Sequence, residues 1–195
     1  MKSPHPSALP ATGSIGLPGQ AARVVAGVLL LTLSAKVQIP FWPVPMTLQV
    51  AAVMALAAAY GLRLGTATVV GYLVAGALGF PVFAGTPEKG IGLAYMIGGT
   101  GGYLLGFVAA AVIVGWAADH LRKLFLWPAM LVGLAMIYAL GLGWLAQFVP
   151  GDKVLAYGFI PFIAGDLVKI TLASVVVLGL PTRLLSRIRG TRSDA

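Results

Sequence analysis

Six long apolar runs dominate the pattern of the chain, and short segments containing polar residues, glycine or proline separate them. A helix needs roughly 17–25 mostly apolar residues to cross a hydrocarbon core about 30 Å thick, at about 1.5 Å per residue. Most of the runs are near that length. The pattern therefore predicts an all-α, polytopic membrane protein with six transmembrane helices, at residues 24–39, 46–62, 64–80, 101–118, 124–149 and 162–185.

The second and third runs meet at Arg63, which lies between Gly61 and Gly65. A charged residue flanked by glycines is typical of a tight turn and not of the middle of one very long helix. We therefore expect a helical hairpin at this point.

Composition agrees with a membrane protein, since 59% of residues are hydrophobic and 9% are charged, whereas soluble domains carry about 25% charged residues. The chain has no cysteine and two histidines, His5 and His120, which excludes disulfides and thiolate chemistry and argues against a metal site. It also contains no nucleotide-binding motif and no nucleophile with an obvious base. We expect no cofactor, no metal and no enzymatic activity.

The two ends of the chain differ from its middle. Residues 1–21 are rich in Pro, Ser and Gly and are expected to form a disordered cytoplasmic tail. Residues 22–189 would form the six-helix domain, and residues 190–195 a basic cytoplasmic tail.

Basic residues indicate the orientation. With a cytoplasmic N-terminus, nine of the 13 basic residues fall on the cytoplasmic side, two on the opposite side and two inside spans. This bias follows the positive-inside rule, so both termini are expected in the cytoplasm. We therefore interpret the net charge of +8 as an attraction to anionic membrane lipids and not to nucleic acid.

Three charged residues lie inside predicted spans and away from their cytoplasmic ends: Lys36, Asp166 and Lys169. Each costs roughly 2.5–3.5 kcal/mol at the centre of a transmembrane helix, so each needs a partner or a function. Asp166 and Lys169 are three residues apart and share one helix face. They indicate either a pocket for a small polar or anionic solute or an internal pair that only locks the helices together. Lys36 could contribute to the pocket or extend its amine to the interface.

A loop of about 20 residues separates the third and fourth predicted helices, which is long for a plain connector. Its apolar and aromatic composition predicts a lid over the outer mouth of the pocket. The candidate substrate-binding residues are those expected near this mouth, together with the charged pair: Trp42, Gln49, Phe83, Glu88, Tyr95, Tyr103, Asp166 and Lys169. For the aromatic members the alternative is enrichment at the membrane interface.

Small residues four apart, Ala22 and Ala26, lie near the start of the first predicted helix. This spacing allows another helix to approach closely. It suits packing within the chain as well as contact with a partner subunit.

Four segments form a distinctive set: IPFWPVPMTLQ at residues 39–49, GFPVFAG at 79–85, GGTGGYLLGF at 98–107 and PFIAGDLVK at 161–169. Together they resemble the BioY family, the biotin-specific substrate-binding (S) components of energy-coupling factor (ECF) transporters. One departure is Gly99, where the family pattern leads us to expect proline.

The resemblance implies a function and partners. It implies high-affinity uptake of biotin across the plasma membrane of a bacterium, together with a transmembrane coupling subunit and two ATP-binding subunits. Asp166 and Lys169 would contribute to biotin binding, and Ala22 and Ala26 would contact the coupling subunit. The alternatives are a stand-alone facilitator or channel for a small solute such as another vitamin, and an intramembrane enzyme, for which the sequence offers neither a metal cluster nor a nucleophile pair.

Overall fold

The computed structural model of the protein describes residues 16–39, 42–85 and 91–189, which form a helical bundle. In chain order the elements are α1 (Leu17–Lys36), β1 (Gln38–Ile39), β2 (Met46–Thr47), α2 (Gln49–Ala77), α3 (Leu93–Met96), α4 (Gly101–His120), α5 (Leu126–Leu145), α6 (Val154–Gly158), α7 (Ile160–Gly179) and α8 (Thr182–Arg189). Short 3-10 turns, Lys123–Phe125 and Gly151–Lys153, lead into α5 and α6. The two strands pair antiparallel, with Gln38 opposite Thr47.

Five helical segments within the described ranges are long and apolar enough to cross a membrane: Leu17–Lys36, Gln49–Ala77, Gly101–His120, Lys123–Leu145 and Gly151–Gly179. Large apolar side chains such as Leu29, Val132 and Val175 are exposed along them. Extended apolar surface of this kind is typical of helices that face lipid. The expectation of an all-helical, multi-pass membrane protein is confirmed at this level, with five such segments where six were predicted.

The second segment, α2, contains the second and third predicted spans and is broken at Gly61, where φ is 76° and ψ is −176°. The chain turns back beyond the break, because a Cβ on Gly65 would lie 3.0 Å from the Cα of Ala57. In a straight helix those two residues would be about 12 Å apart. α2 therefore has two arms, residues 49–60 and 62–77, which meet at the turn that the sequence predicts.

Two charged side chains satisfy backbone groups that the break leaves without helical partners. Asp119 accepts the N–H of Leu62 through Oδ2 at 2.8 Å. Arg189 donates to the carbonyls of Ala58 at 2.6 Å and Ala59 at 3.2 Å. Unpaired helix ends are costly when buried, so these bonds stabilise the turn.

Basic residues gather at this end of the bundle, which we call the basic end: Arg23, Arg63, Arg122, Lys123, Arg183, Arg187 and Arg189. Arg23 donates to the carbonyl of Arg187 at 3.3 Å, and Lys123 donates to the carbonyl of Leu180 at 3.2 Å. These bonds tie α8 to α1 and the end of α7 to the start of α5.

α4 lies at the centre of the bundle and is the most buried of the five segments, while α1 is the least buried. Glycine allows α5 to approach α4 closely, since a Cβ on Gly106 would lie 2.6 Å from the Cα of Ile137. A small residue at this contact therefore lets the two helices pack closely.

Several helix ends differ by a few residues from the sequence prediction, and two differences change how a segment is described. α1 begins at Leu17, so residues 17–21 are helical and not part of a disordered tail; residues 1–15 and 190–195 lie outside the described residues. The last predicted span, 162–185, is two helices, α7 and α8, because the chain leaves the helical conformation at Leu180 and Pro181 has no N–H to continue the ladder.

Candidate substrate-binding site

A cavity of about 560 Å³, measured out to solvent, lies at the end of the bundle opposite the basic end. Its wall is mostly apolar and is formed by Val44, Pro45, Met46, Thr47, Gln49, Val50, Ala84, Tyr95, Thr100, Tyr103, Leu104, Phe107, Ile137, Tyr138, Phe162, Asp166 and Lys169.

Three residues of the wall, Asp166, Lys169 and Tyr138, form a hydrogen-bonded polar group. Asp166 is 5% exposed, and its Oδ1 lies 2.8 Å from the Nζ of Lys169. Its other oxygen, Oδ2, accepts the hydroxyl of Tyr138 at 2.7 Å. The predicted pairing of Asp166 with Lys169 on one helix face is therefore present.

This group has hydrogen-bonding capacity beyond its internal bonds. A carboxylate offers about four acceptor positions and an ammonium three donors. Two positions on Asp166 and one donor of Lys169 are engaged within the group. Both residues line the cavity, so this spare capacity suits a ligand that both donates and accepts hydrogen bonds.

A second polar group starts at Gln49, which is 5% exposed. Its Nε2 donates to the hydroxyl of Tyr72 at 2.7 Å, and that hydroxyl donates to the carbonyl of Val82 at 3.1 Å. Thr47 donates to the Gln49 side-chain oxygen at 3.2 Å. The chain of bonds connects the cavity wall to the segment 82–85.

Aromatic packing and one lysine hold the same segment in place. The ring of Phe83 stacks on Tyr95 at 5.0 Å and meets Tyr72 edge-on at 5.4 Å. Lys36 donates to the carbonyl of Phe83 at 2.6 Å. Segment 82–85 is thus fixed to α1, to α2 and, through Tyr95, to the cavity wall.

The model of the BioY family matches residues 10–186 of the sequence. The chain belongs to the BioY family. The resemblance drawn from the four sequence segments is confirmed by this match.

Named relatives of the chain support the same family assignment. A "Probable biotin transporter BioY" of Pyrococcus horikoshii is 37% identical over 157 residues, which are 80% of this chain and 93% of the relative. A "Biotin transporter BioY" of Thermotoga maritima is 39% identical over 155 residues, which are 77% of this chain and 89% of the relative. Because these BioY members are transporters, the expectation that the chain is not an enzyme is confirmed.

The fold is also found in a solved structure. The crystal structure of the S-component for biotin from an ECF-type ABC transporter matches with a TM-score of 0.69, at 23% identity, and covers 81% of this chain and 88% of that chain. Because the sequence identity is below 25%, this match by itself shows only that the two chains share a fold.

Within this BioY chain the candidate residues fall into three sets. Those that line the cavity are Gln49, Tyr95, Tyr103, Asp166 and Lys169. Those placed elsewhere are Phe83, behind Tyr95, and Trp42, which is 70% exposed and borders an adjoining cleft that shares Tyr95 with the cavity wall. Glu88 lies outside the described residues.

The remaining predictions concern the α1 surface and metals. Ala22 and Ala26 are both exposed on α1, so packing within the chain leaves surface of both residues accessible. Among the described residues, no cluster of three or more His, Asp or Glu side chains could hold a metal ion.

Sequence reasoning missed Tyr138 and Thr100 in the cavity wall. A signal for Tyr138 exists in the sequence, because it is a hydroxyl-bearing residue inside an otherwise apolar span. A buried Tyr hydroxyl usually has a hydrogen-bond partner. Asp166 is the acidic residue inside the predicted spans, and the Tyr138 hydroxyl donates to it.

Proposed function

We propose that this BioY-family chain binds biotin with high affinity in the cavity and serves as the S component of an ECF-type transporter for biotin uptake. The observation that carries the proposal is the group of Asp166, Lys169 and Tyr138 in the wall of an otherwise apolar cavity. The names of the relatives and of the structural neighbour support biotin as the ligand and an ECF module as the partner.

The chemistry of biotin matches this wall. Its ureido group has two N–H donors, and the carboxylate of Asp166 has acceptor positions to receive them. The ureido carbonyl accepts, and Lys169 has donors that its ion pair does not use. The rings of Tyr95, Tyr103 and Phe162 supply apolar surface for the fused bicycle.

The charge balance of the cavity predicts how biotin is oriented. Asp166 and Lys169 are the charged members of the lining and neutralise each other. An ionised carboxylate is costly to bury without a net positive partner. We therefore expect the neutral bicycle to enter first and the carboxylate to remain toward the mouth, so an amide of the biotin carboxyl group should bind nearly as tightly as biotin.

Segment 82–85, together with the chain that follows it, is proposed to be the lid. Lys36, Tyr72 and Tyr95 hold this segment beside the cavity, so its release would open a route for the ligand. The basic end is proposed to face the cytoplasm by the positive-inside rule, with both termini there and the cavity facing outward across six spans of a bacterial plasma membrane.

The partner module is proposed to contain a transmembrane coupling subunit and two ATP-binding subunits. The exposed face of α1 with Ala22 and Ala26 is the proposed contact with the coupling subunit, since small side chains let a partner helix approach closely.

Biotin binding to the purified chain in detergent tests the site. Asp166→Asn and Lys169→Ala should each weaken binding roughly 10- to 150-fold, because a charge-assisted hydrogen bond contributes about 1.5–3 kcal/mol. Asp152→Asn and Lys153→Ala are matched controls, since both residues are exposed. Tyr138→Phe leaves the ion pair in place and serves if the charge variants do not fold. Unchanged affinity in all three cavity variants would refute the site.

Reconstituted liposomes test the partner requirement. Biotin uptake should depend on ATP and on the ECF module. Flux through the chain alone, without ATP, would instead support the stand-alone facilitator.

A further inference from the structure

A second cavity, of about 620 Å³ measured out to solvent, lies at the basic end, far from the candidate biotin site. It is enclosed by the end of α4, the start of α5 and α8. Its wall has an apolar half, formed by Ala118, Leu121, Leu126 and Leu185, and a polar half, formed by Lys123, Thr182, Ser186 and Arg189.

The two cations of the polar half are held in place by backbone carbonyls. Arg189 donates to the carbonyls of Ala58, Ala59 and Ala118, and Lys123 donates to that of Leu180. A guanidinium has five N–H donors and an ammonium three. Both cations therefore keep donors for a further acceptor.

Negative charge is scarce around this cavity. Within the described residues, the carboxylate in ion-pair range is that of Asp119, whose Oδ1 is 3.7 Å from Nη1 of Arg189. The other Asp119 oxygen is engaged by the N–H of Leu62. Arg122 and Arg183, both exposed, adjoin the lining in sequence. Burial lowers the pKa of the Arg189 guanidinium, and the negative charge of Asp119 opposes that shift. A bound anion would act in the same direction as Asp119 and stabilise the charged form of this partly buried side chain.

The apolar half of the wall distinguishes between sources of an anion. A free inorganic anion gains nothing from leucine side chains, whereas a phospholipid presents a phosphate joined to acyl chains. α8 has the character of an interfacial helix, with Leu185 buried and Arg183 and Arg187 exposed. Basic pockets between transmembrane helices are known binding sites for anionic headgroups.

We infer that the cavity between α4, α5 and α8 binds the phosphate of one anionic phospholipid, with Lys123, Arg189 and Thr182 as donors and the leucine side chains in contact with its acyl chains. A bound lipid would join α8 to the ends of α4 and α5, and through Arg189 to the turn at Gly61. The site is independent of the biotin cavity, so its test does not depend on biotin binding.

Thermal unfolding of the full chain in detergent, titrated with lipid, tests the inference. Phosphatidylglycerol should raise the unfolding temperature saturably, and phosphatidylcholine and inorganic phosphate should have little effect. Native mass spectrometry should retain one phosphatidylglycerol per chain. A shift of equal size with phosphatidylcholine, or full stabilisation by inorganic phosphate alone, would overturn the lipid assignment.

Variants test the location of the site. Lys123→Gln keeps a donor for the Leu180 carbonyl but removes the charge, and should weaken phosphatidylglycerol binding about tenfold. Thr182→Val removes an exposed hydroxyl of the lining and should weaken it less. Arg63→Gln is the matched control, because Arg63 is exposed at the same end but does not line the cavity. Equal losses in Lys123→Gln and Arg63→Gln would indicate general attraction to charge and refute a defined site.

Discussion

Tyr72→Phe removes one oxygen atom from the buried chain of bonds that joins Gln49 to the segment 82–85. Tyr72 is fully buried, and its hydroxyl accepts from Gln49 at 2.7 Å and donates to the carbonyl of Val82 at 3.1 Å. The phenyl ring remains, so no large cavity forms. The substitution therefore isolates the two hydrogen bonds.

The substitution leaves two groups without this partner, the side-chain N–H of Gln49 and the carbonyl of Val82. The expected loss of stability follows from these two groups. A buried donor or acceptor that loses its hydrogen bond costs about 1–3 kcal/mol. Loss of the bond to Val82 removes one attachment of segment 82–85 and lets the Val82 carbonyl relax, so we expect a combined loss near the lower end, about 2–3 kcal/mol of unfolding free energy. If about 1.4 kcal/mol of this acts on lid opening, biotin dissociation becomes about tenfold faster.

Tyr60→Phe is the matched control for this experiment. The Tyr60 hydroxyl donates one bond, to the carbonyl of Arg23 at 3.2 Å, near the basic end. Thermal unfolding and the rate of release of labelled biotin would be measured for both variants in the same detergent. The reasoning is refuted if Tyr72→Phe lowers stability no more than Tyr60→Phe and leaves the release rate unchanged.

Three further substitutions test the lid and the turn. Gly76→Ala places a methyl group against the Phe83 ring and should weaken biotin binding in an equilibrium assay, whereas Gly143→Ala, which meets open space, should not. Lys36→Met keeps the aliphatic stem but loses the bond to the Phe83 carbonyl; faster biotin release with little change in unfolding temperature is expected, and an unchanged rate would exclude a role in the lid. Gly61→Ala combines a φ of 76° with overlap of the Asp119 carboxylate, and should lower the unfolding temperature well below that of Gly143→Ala.

Features set by neighbours in the sequence were predictable. Asp166 and Lys169 are three residues apart in one helix, so their contact follows from helical geometry alone and is present at 2.8 Å. The turn near Arg63 was predictable for a similar reason, since its flanking glycines permit a backbone that other residues avoid. The structure places the break at Gly61.

Features that join distant parts of the chain were not predictable from a single sequence. Tyr138 and Asp166 are 28 residues apart and meet because α5 packs beside α7. Gln49 and Tyr72 lie on opposite arms of α2, and Tyr72 reaches Gln49 only because the chain turns back at Gly61. Helical periodicity indicates which residues share a face but not which face of another helix it meets.

The wrong boundary at the end of the last predicted span has the same origin. Apolar residues continue past Gly179, so the hydrophobic pattern alone extends the last span to residue 185, whereas Pro181 and the following arginines mark a new helix, α8. What fixes α8 is its long-range bonding, since Arg189 donates to carbonyls of α2 and α4. The hydrophobic pattern shows which residues can enter lipid, but it does not show where a helix must end. Here the position of α8 depends on carbonyls that the break at Gly61 leaves without helical partners, and Arg189 binds them from a distant part of the chain.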